Sequence, residues 1–353
     1  MAEVAGVSVV IPTVGRQSLA AVLCALGGQA PPAVPAEVLV VDDRRRQHPP
    51  LALPAHCGPP VRVVRGPGGG PAAARNAGWR AARHPWVAFL DDDVVPEPDW
   101  YARLVADLTV PAGVGGVQGR VRVPLPTGRR PTDWERVSAG LAGGRWITAD
   151  MAYRRSALAA VGGFDERFPG AYREDAELAH RVAGAGWRLV RGARGVVHPV
   201  RPEGPWVSLR SQRGNADDAM LRRLYGRRWR EVLGLPPGRR RRHALVTAAG
   251  GVAVLASLWR LGNRPAASRR PAPRRVAAPS GAAWLAAVAG AGWLAGTGEF
   301  FVARVAPGPR TPAELAAMAV SSVLIPPLAC LHWLRGWLVH RGARPRGAEP
   351  NPP

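Results

Sequence analysis

Three short apolar runs constrain this chain more than any other feature: residues 7–12 (VSVVIP), 38–41 (VLVV) and 86–90 (WVAFL), each breaking off into polar residues. Runs this short, rich in β-branched residues and without polar alternation, read as strands buried on both faces, the habit of parallel sheets. Residues 117–123 read as a fourth strand, and helical spacing recurs at 17–26, 72–83, 99–108 and 156–161. Strand and helix alternating at this size predict an α/β fold, with an open, mostly parallel twisted sheet flanked by helices. Ligands of such sheets bind beyond the carboxyl ends of the strands. The acidic residues stand there.

The run 86–90 ends in Asp91, Asp92 and Asp93. Carboxylates clustered at the end of a buried strand repel one another and are costly to desolvate. A divalent cation removes that difficulty. Residues i and i+2 of a strand point the same way, so Asp91 and Asp93 are predicted to share one Mn2+ or Mg2+ while Asp92 faces elsewhere. Such an ion bridges a diphosphate and offsets departing charge. The alternative is an acidic turn ahead of the next helix, helped by Pro96 and Pro98.

Three further stretches carry candidate chemistry. The run 38–41 ends in Asp42 and Asp43, placed to hydrogen-bond a base or ribose, or else to pair with the arginines at 44–46. Residues 66–78 (GPGGGPAAARNAG) form a flexible loop entering a helix, whose start offers N–H groups to phosphate, with Arg75 as a forked guanidinium. The loop lacks the G-x-G-x-x-G spacing of a dinucleotide site. Residues 162–181 (GGFDERFPGAYREDAELAHR) place Glu174 and Asp175 just before a helix expected over 176–183. A carboxylate at the lip of the sheet can take a hydroxyl proton on the face opposite a leaving group. Acidic residues in a first turn also favour the helix dipole with no chemistry at all. His198 is a candidate metal or phosphate contact, set against an ordinary loop histidine.

Taken in order, VSVVIPT, VVDD, ARNAG, FLDDDVVPEPDW and MAYRRSALAAVGGFDERFPGAYREDAELAHRV resemble the motifs of the family 2 glycosyltransferases of GT-A fold, in their membrane-associated bacterial type. The resemblance runs from residue 7 to about 197. It implies inverting, metal-dependent transfer of a sugar from a nucleotide-sugar donor to a hydroxyl acceptor. Pro12, Thr13 and Asp43 would contact the base, with Asp42 in the same nucleotide-sugar site, and Arg75 would lie near the base or diphosphate. Asp92 and Asp93 would meet ribose, metal and phosphate, and Asp91 would complete the D-x-D. Asp175, beside Glu174, would be the general base, while Gly162, Gly163 and Phe164 would shape the acceptor side. Two departures matter: Thr148-Ala149-Asp150 replaces the family's Gly-Ala-Asn, and residues 212–215 (QRGN) are not the Q-x-x-R-W of processive members. Single addition is therefore expected.

Charge separates the possible partners. The 48 basic residues, all of them Arg, outnumber 25 acidic ones, for a formal net charge of +23. Such an excess calls for an anionic partner. After Leu235 the chain passes through the four arginines 239–242 and alternates apolar stretches at 244–261, 282–302 and 313–334 with an Arg/Pro-rich connector at 262–279. Each stretch approaches the roughly 20 residues needed to cross a bilayer. The chain therefore reads as a catalytic domain over 1–235 and an Arg-rich connector with membrane helices over 236–353. Trp284, Trp293, Trp333 and Trp337 stand near the ends of the stretches, as interfacial indoles do; a small soluble helical domain is the alternative.

Arginines flank the first stretch on both sides, so it is expected to lie in the interface, with the second and third forming a hairpin that leaves Arg304 and Arg310 on the far side; three true spans are the alternative. Because the arginines cluster beside apolar stretches, anionic lipid is the expected partner rather than nucleic acid, and the acceptor is expected to be lipid-linked or part of the cell envelope. A non-catalytic sugar-nucleotide or nucleic-acid binding protein is the rival of another class. A nucleotidyltransferase is the rival within the fold, but it would need a Gly-rich basic loop where this chain has Pro12-Thr13-Val14-Gly15-Arg16. Cys24, Cys57 and Cys330 fit no disulfide framework or metal spacing, which points to the reducing, cytoplasmic side. Residues 1–8 lack a basic segment before an apolar core, so no cleaved signal is expected.

Overall fold

The computed structural model describes residues 3–54, 58–263 and 281–346; Cys57 and most of the connector lie outside the described residues. Two compact units emerge, Met1–Thr127 with Glu135–Pro202, and Gly128–Trp134 with Glu203–Pro353. The packing boundary falls at Pro202, ahead of the change of texture at Leu235. The segment between them holds the helix Asn215–Tyr225, which packs on the long C-terminal helix Pro312–Val339.

The first unit is built on eight strands: β1 (Val7–Thr13), β2 (Ala36–Asp42), β3 (Val61–Arg65), β4 (Trp86–Leu90), β5 (Val95–Pro96), β6 (Val114–Arg122), β7 (Asp150–Arg154) and β8 (Arg188–Val197). They form one sheet in the order β3-β2-β1-β4-β7-β6-β8-β5. The half containing β3, β2, β1 and β4 is parallel. Beyond it β7 runs antiparallel to both β4 and β6, and β5 is antiparallel to β8. Since β6 and β8 are parallel as well, the sheet is open and mostly parallel, with antiparallel pairings beside β7 and at β5. Absent from the apolar-run reading are the two-residue β5 and three strands that carry charge. β3 (VRVVR) and β8 (RLVRGARGVV) are only partly buried, and β7 (DMAYR) begins and ends on a charged residue.

Alternate residues of one strand enter opposite cores, as the pleat requires. Val9 and Ile11 of β1 join Val38, Val40, Ala88 and Leu90 beneath the helices Ser18–Gly27 and Trp100–Leu108. Val10 joins Leu39, Val41, Val87 and Phe89 beneath the helices Pro71–Ala81 and Glu174–Gly184. Each such fully buried side chain is worth about 1.5–3 kcal/mol. Gly78 lets the helix Pro71–Ala81 lie flush on β1 and β2, since a Cβ there would strike the side chains of Val10 and Val41. That close seat brings Arg75, one turn earlier, to the carboxyl edge of the sheet.

In the second unit the three expected apolar stretches are helices, Arg240–Gly262, Gly281–Val305 and Pro312–Val339, each long and apolar enough to cross a membrane. The first packs antiparallel on the second, with Gly250 against Trp293 and Gly296 against Val246. One expectation is corrected. Arg304 is not displayed on a far side. It is 7% exposed, and its guanidinium donates to Asp133 Oδ2 at 2.7 Å and to Ser321 Oγ at 2.7 Å. A charge at the end of an apolar helix has found a carboxylate and a hydroxyl in place of water.

Candidate active site

The three aspartates after β4 diverge at once. The strand ends at Leu90, so the two-residue alternation that would align Asp91 with Asp93 no longer applies. Asp92, 1% exposed, accepts from Thr13 Oγ1 at 2.6 Å and from Arg16 Nη1 at 2.5 Å, which knots the end of β1 to the end of β4. Asp91 turns to Arg75, whose Nη2 donates to Oδ1 at 2.8 Å. Asp93 faces Arg201 Nε at 3.1 Å and stands 3.6 Å from His198 Nε2. Burial, with Asp91 close by, raises the Asp93 carboxyl against the pull of His198 and Arg201. Among the described residues, no three His, Cys, Asp or Glu side chains form a closed ligand set.

Asp42 and Asp43, on the neighbouring strand end, are both engaged. Arg44 grips Asp42 with two bonds, Nε to Oδ1 at 2.9 Å and Nη2 to Oδ2 at 2.7 Å, and holds its carboxyl below the usual range. This is the pairing the sequence left as the alternative for that turn. Asp43 accepts the N–H of Gly68 at 2.7 Å and of Gly70 at 2.9 Å. The glycine loop therefore directs these amides at a carboxylate of the protein, rather than holding them out toward a phosphate. Pro12 lies between Ile11 and Thr13 at the half-buried end of β1.

Arg75 is the centre of the arrangement. It is 2% exposed, and its Nη1 donates to Glu174 Oε1 at 2.8 Å while Nη2 holds Asp91. Both ends of the fork are thus spent on carboxylates. Glu174 is buried and Asp175 half-buried, at the start of a helix entered through Arg173 in the left-handed conformation, φ 74°. Non-glycine residues seldom adopt that conformation, and it costs of order 1 kcal/mol or more. Burial, aided by Asp175 and opposed by Arg75, pushes the Glu174 carboxyl up to about 7. Burial also raises Asp175, against Arg75 and Arg173. Asp91, Glu174 and Asp175 crowd about one guanidinium, and negative charge in excess favours a shared proton.

The loop before this helix is fastened to the helix Pro71–Ala81 by Asn76, which donates to Phe164 O at 2.9 Å and Glu166 Oε1 at 2.7 Å and accepts from Phe164 N at 2.9 Å. Gly163 has φ +77°, and a Cβ on it would run into Asn76 and Trp79. The Phe164 ring lies 5.6 Å from the Arg75 guanidinium and edge-on to Phe89, so it seals the floor beneath Arg75. Asp150, the departure from Gly-Ala-Asn, turns to the opposite face of the sheet. There it is fully buried with Arg194 Nε at 2.8 Å and Trp100 Nε1 at 3.0 Å. Sequence reasoning passed over Arg16, Asn76 and Arg201 as partners of the site. Arg201, three residues after His198, carried the clearest signal.

The family model described as Glycosyl transferase family 2 matches residues 8–160. This stretch is therefore similar to family 2 glycosyl transferases. That match takes in the ends of β1, β2 and β4, while Glu174, Asp175 and His198 lie past it. The chain is 35% identical over 150 residues to the Pre-mycofactocin glycosyltransferase of Mycobacterium tuberculosis, covering 38% of this chain and 31% of that protein. It is 43% identical over 77 residues to the Succinoglycan biosynthesis protein ExoO of Rhizobium meliloti, covering 20% of this chain and 21% of that protein. The chain thus spans less than a third of the length of either relative. Among solved structures, the mannosyltransferase PcManGT from Pyrobaculum calidifontis, in complex with GDP-Man and Mn2+, aligns with 91% of this chain and 88% of its own at 21% identity and a TM-score of 0.49.

Proposed function

We propose that this protein is a glycosyltransferase that moves a sugar from a nucleotide-sugar donor to a hydroxyl acceptor, with inversion and one addition per encounter. The observation that carries the reading is the buried clamp of Arg75 on Asp91 and Glu174, which joins three distant stretches beside one half-buried carboxylate, Asp175.

In this reading Asp175 takes the proton of the acceptor hydroxyl, which attacks the sugar carbon from the face opposite the departing nucleotide and so inverts it. Burial raises its affinity for protons, the direction that strengthens a base. Glu174 is a positioning residue. Held by Arg75, it fixes the first turn of the helix and with it the place of Asp175. Asp43 and Asp42 order the loops at the ends of β2 and β3 where the nucleotide would lie, and Asp92 ties Thr13 in register with them.

The donor set fits a hard divalent cation, Mn2+ or Mg2+. Asp93 Oδ1 and His198 Nε2, 3.6 Å apart, are too distant for a hydrogen bond and well spaced to bracket one ion. Such ions use one or two protein groups and take their other ligands from water and phosphate, so two donors with Asp91 nearby suffice. When bound, the ion would offset the charge of the diphosphate.

The apolar helices of the second unit support work at a membrane, with residues up to about 235 as the catalytic part on the cytoplasmic side and a lipid-linked or cell-envelope acceptor. A thermal-shift screen of nucleotide sugars with and without Mn2+ tests the reading, since a ligand stabilises the fold according to its occupancy. A specific metal-dependent shift, followed by transfer with inverted anomeric configuration, is expected. No shift from any nucleotide sugar would sink it.

A further inference from the structure

We propose that the helix Pro312–Val339 lies in the plane of an anionic membrane surface and does not cross the bilayer. The proposal rests on the membrane association of the second unit and is independent of the chemistry assigned above.

Both ends of this helix are fastened to polar segments of the same unit. Near its start, Glu314 accepts the backbone N–H of Asp133 at 2.8 Å, and Ser321 Oγ accepts from Arg304, which also holds Asp133 and donates to Ser208 Oγ at 3.1 Å. Near its end, the carbonyl of Trp337 accepts from Arg223 Nη2 at 2.7 Å, the same guanidinium lying 3.9 Å over the Trp337 ring. Gly336 rests on the backbone of Ala216, where any Cβ would collide. Past the helix, Arg346 N–H donates to Leu224 O at 2.9 Å.

Distance makes these contacts decisive. At 1.5 Å per residue, Glu314 and Trp337 are about 34 Å apart, more than the roughly 30 Å of a hydrocarbon core. A helix crossing the bilayer would therefore carry residues 208–224 with it. That segment holds Arg210, Arg213, Asp217, Asp218, Arg222 and Arg223. Charges at the centre of a membrane helix cost on the order of 2.5–3.5 kcal/mol each even on the mildest scale. Crossing loses.

The opposite face of the helix suits the alternative. Val320, Val323, Leu324, Leu331, Leu334 and Leu338 are all exposed, and at 100° per residue they form one stripe. Ser321, Ile325, Ala329, Trp333 and Gly336 form the buried face. An apolar stripe on one side and charged protein on the other is the make-up of an interfacial helix. Of the run 239–242, Arg240 lies over the Trp333 ring at 4.4 Å and Arg239 and Arg242 hold Glu299, while Arg241 and Arg242 remain exposed to meet anionic headgroups.

Single cysteines on either side of the helix test this in the full chain, with the native cysteines replaced by Ser. Pro307→Cys and Gly342→Cys are labelled with a membrane-impermeant maleimide in sealed right-side-out and inside-out vesicles. Both are expected to react in the same vesicle orientation, and both after detergent. Reaction in opposite orientations would overturn the proposal. So would a site silent in both orientations but reactive in detergent, because the ends of an in-plane helix face water. Ala306→Cys with Ala343→Cys provides a second pair should either first variant fail to fold.

Discussion

Arg75 and Glu174, 99 positions apart in the chain, are joined by a 2.8 Å ion pair almost sealed from water. Nothing local demands this contact. It exists because the helix Pro71–Ala81 seats closely on the sheet and the helix Glu174–Gly184 begins beside it.

Removing the cation from that pair leaves Glu174 and Asp91 without their shared partner. Breaking one side of a buried ion pair costs about 3–5 kcal/mol. Arg75→Met should therefore lower stability by roughly that amount, read as a shift in the urea midpoint at unchanged slope. A loss below about 1 kcal/mol would mean that the clamp is structurally idle.

The Glu174 carboxyl, lifted from 4.5 to about 7, gives a pH signature. In that window the folded state holds a proton that the unfolded chain has released. The stabilisation is complete below the unfolded value and is lost as pH rises through the folded one. Glu174→Gln removes this dependence. The stability of wild type relative to the variant should then fall by roughly 1–3 kcal/mol between about pH 4.5 and 8. Parallel stability curves for the two proteins would refute the shift.

Asp175→Asn keeps shape and removes the base. Turnover should drop about 10²–10⁴-fold while the affinity for donor stays within a few-fold. Wild-type turnover in this variant would assign the base elsewhere.

Asp93→Asn and His198→Ala should each weaken Mn2+ binding in the presence of nucleotide by about tenfold, or 1.4 kcal/mol. Isothermal titration with Mn2+ checks this. Unaltered affinity in both variants would remove the pair as ligands.

Gly163→Ala combines a left-handed backbone with a collision against Asn76 and Trp79. A loss of about 1–3 kcal/mol is expected, seen as a lower Tm. Gly162→Ala, with equally positive φ but open space at its Cβ, should cost less.

Much of the first unit was legible in the sequence because burial on both faces leaves a direct trace. β1, β2 and β4 were visible as uninterrupted apolar runs, and their ends marked where the acidic residues would gather. β3 and β8 were not visible, since arginine interrupts them and partly buried strands have no such run, and β7 was not because charged ends leave it only three apolar residues. The antiparallel pairings with β4 and β6 went unread together with β7. The three apolar helices were legible by length and composition, but their packing was not: Arg304, read as a far-side charge, is buried against Asp133.

By itself, the amino-acid sequence determined which residue types stand at the strand ends, because hydrophobic periodicity and the i, i+2 pleat are local properties. Only the tertiary structure decided which carboxylate meets which cation. The pleat ends with the strand at Leu90, and beyond it Asp91, Asp92 and Asp93 each follow whichever loop packs nearest: Arg75, Thr13 with Arg16, and His198 with Arg201. Long-range electrostatics has no period to read in a chain.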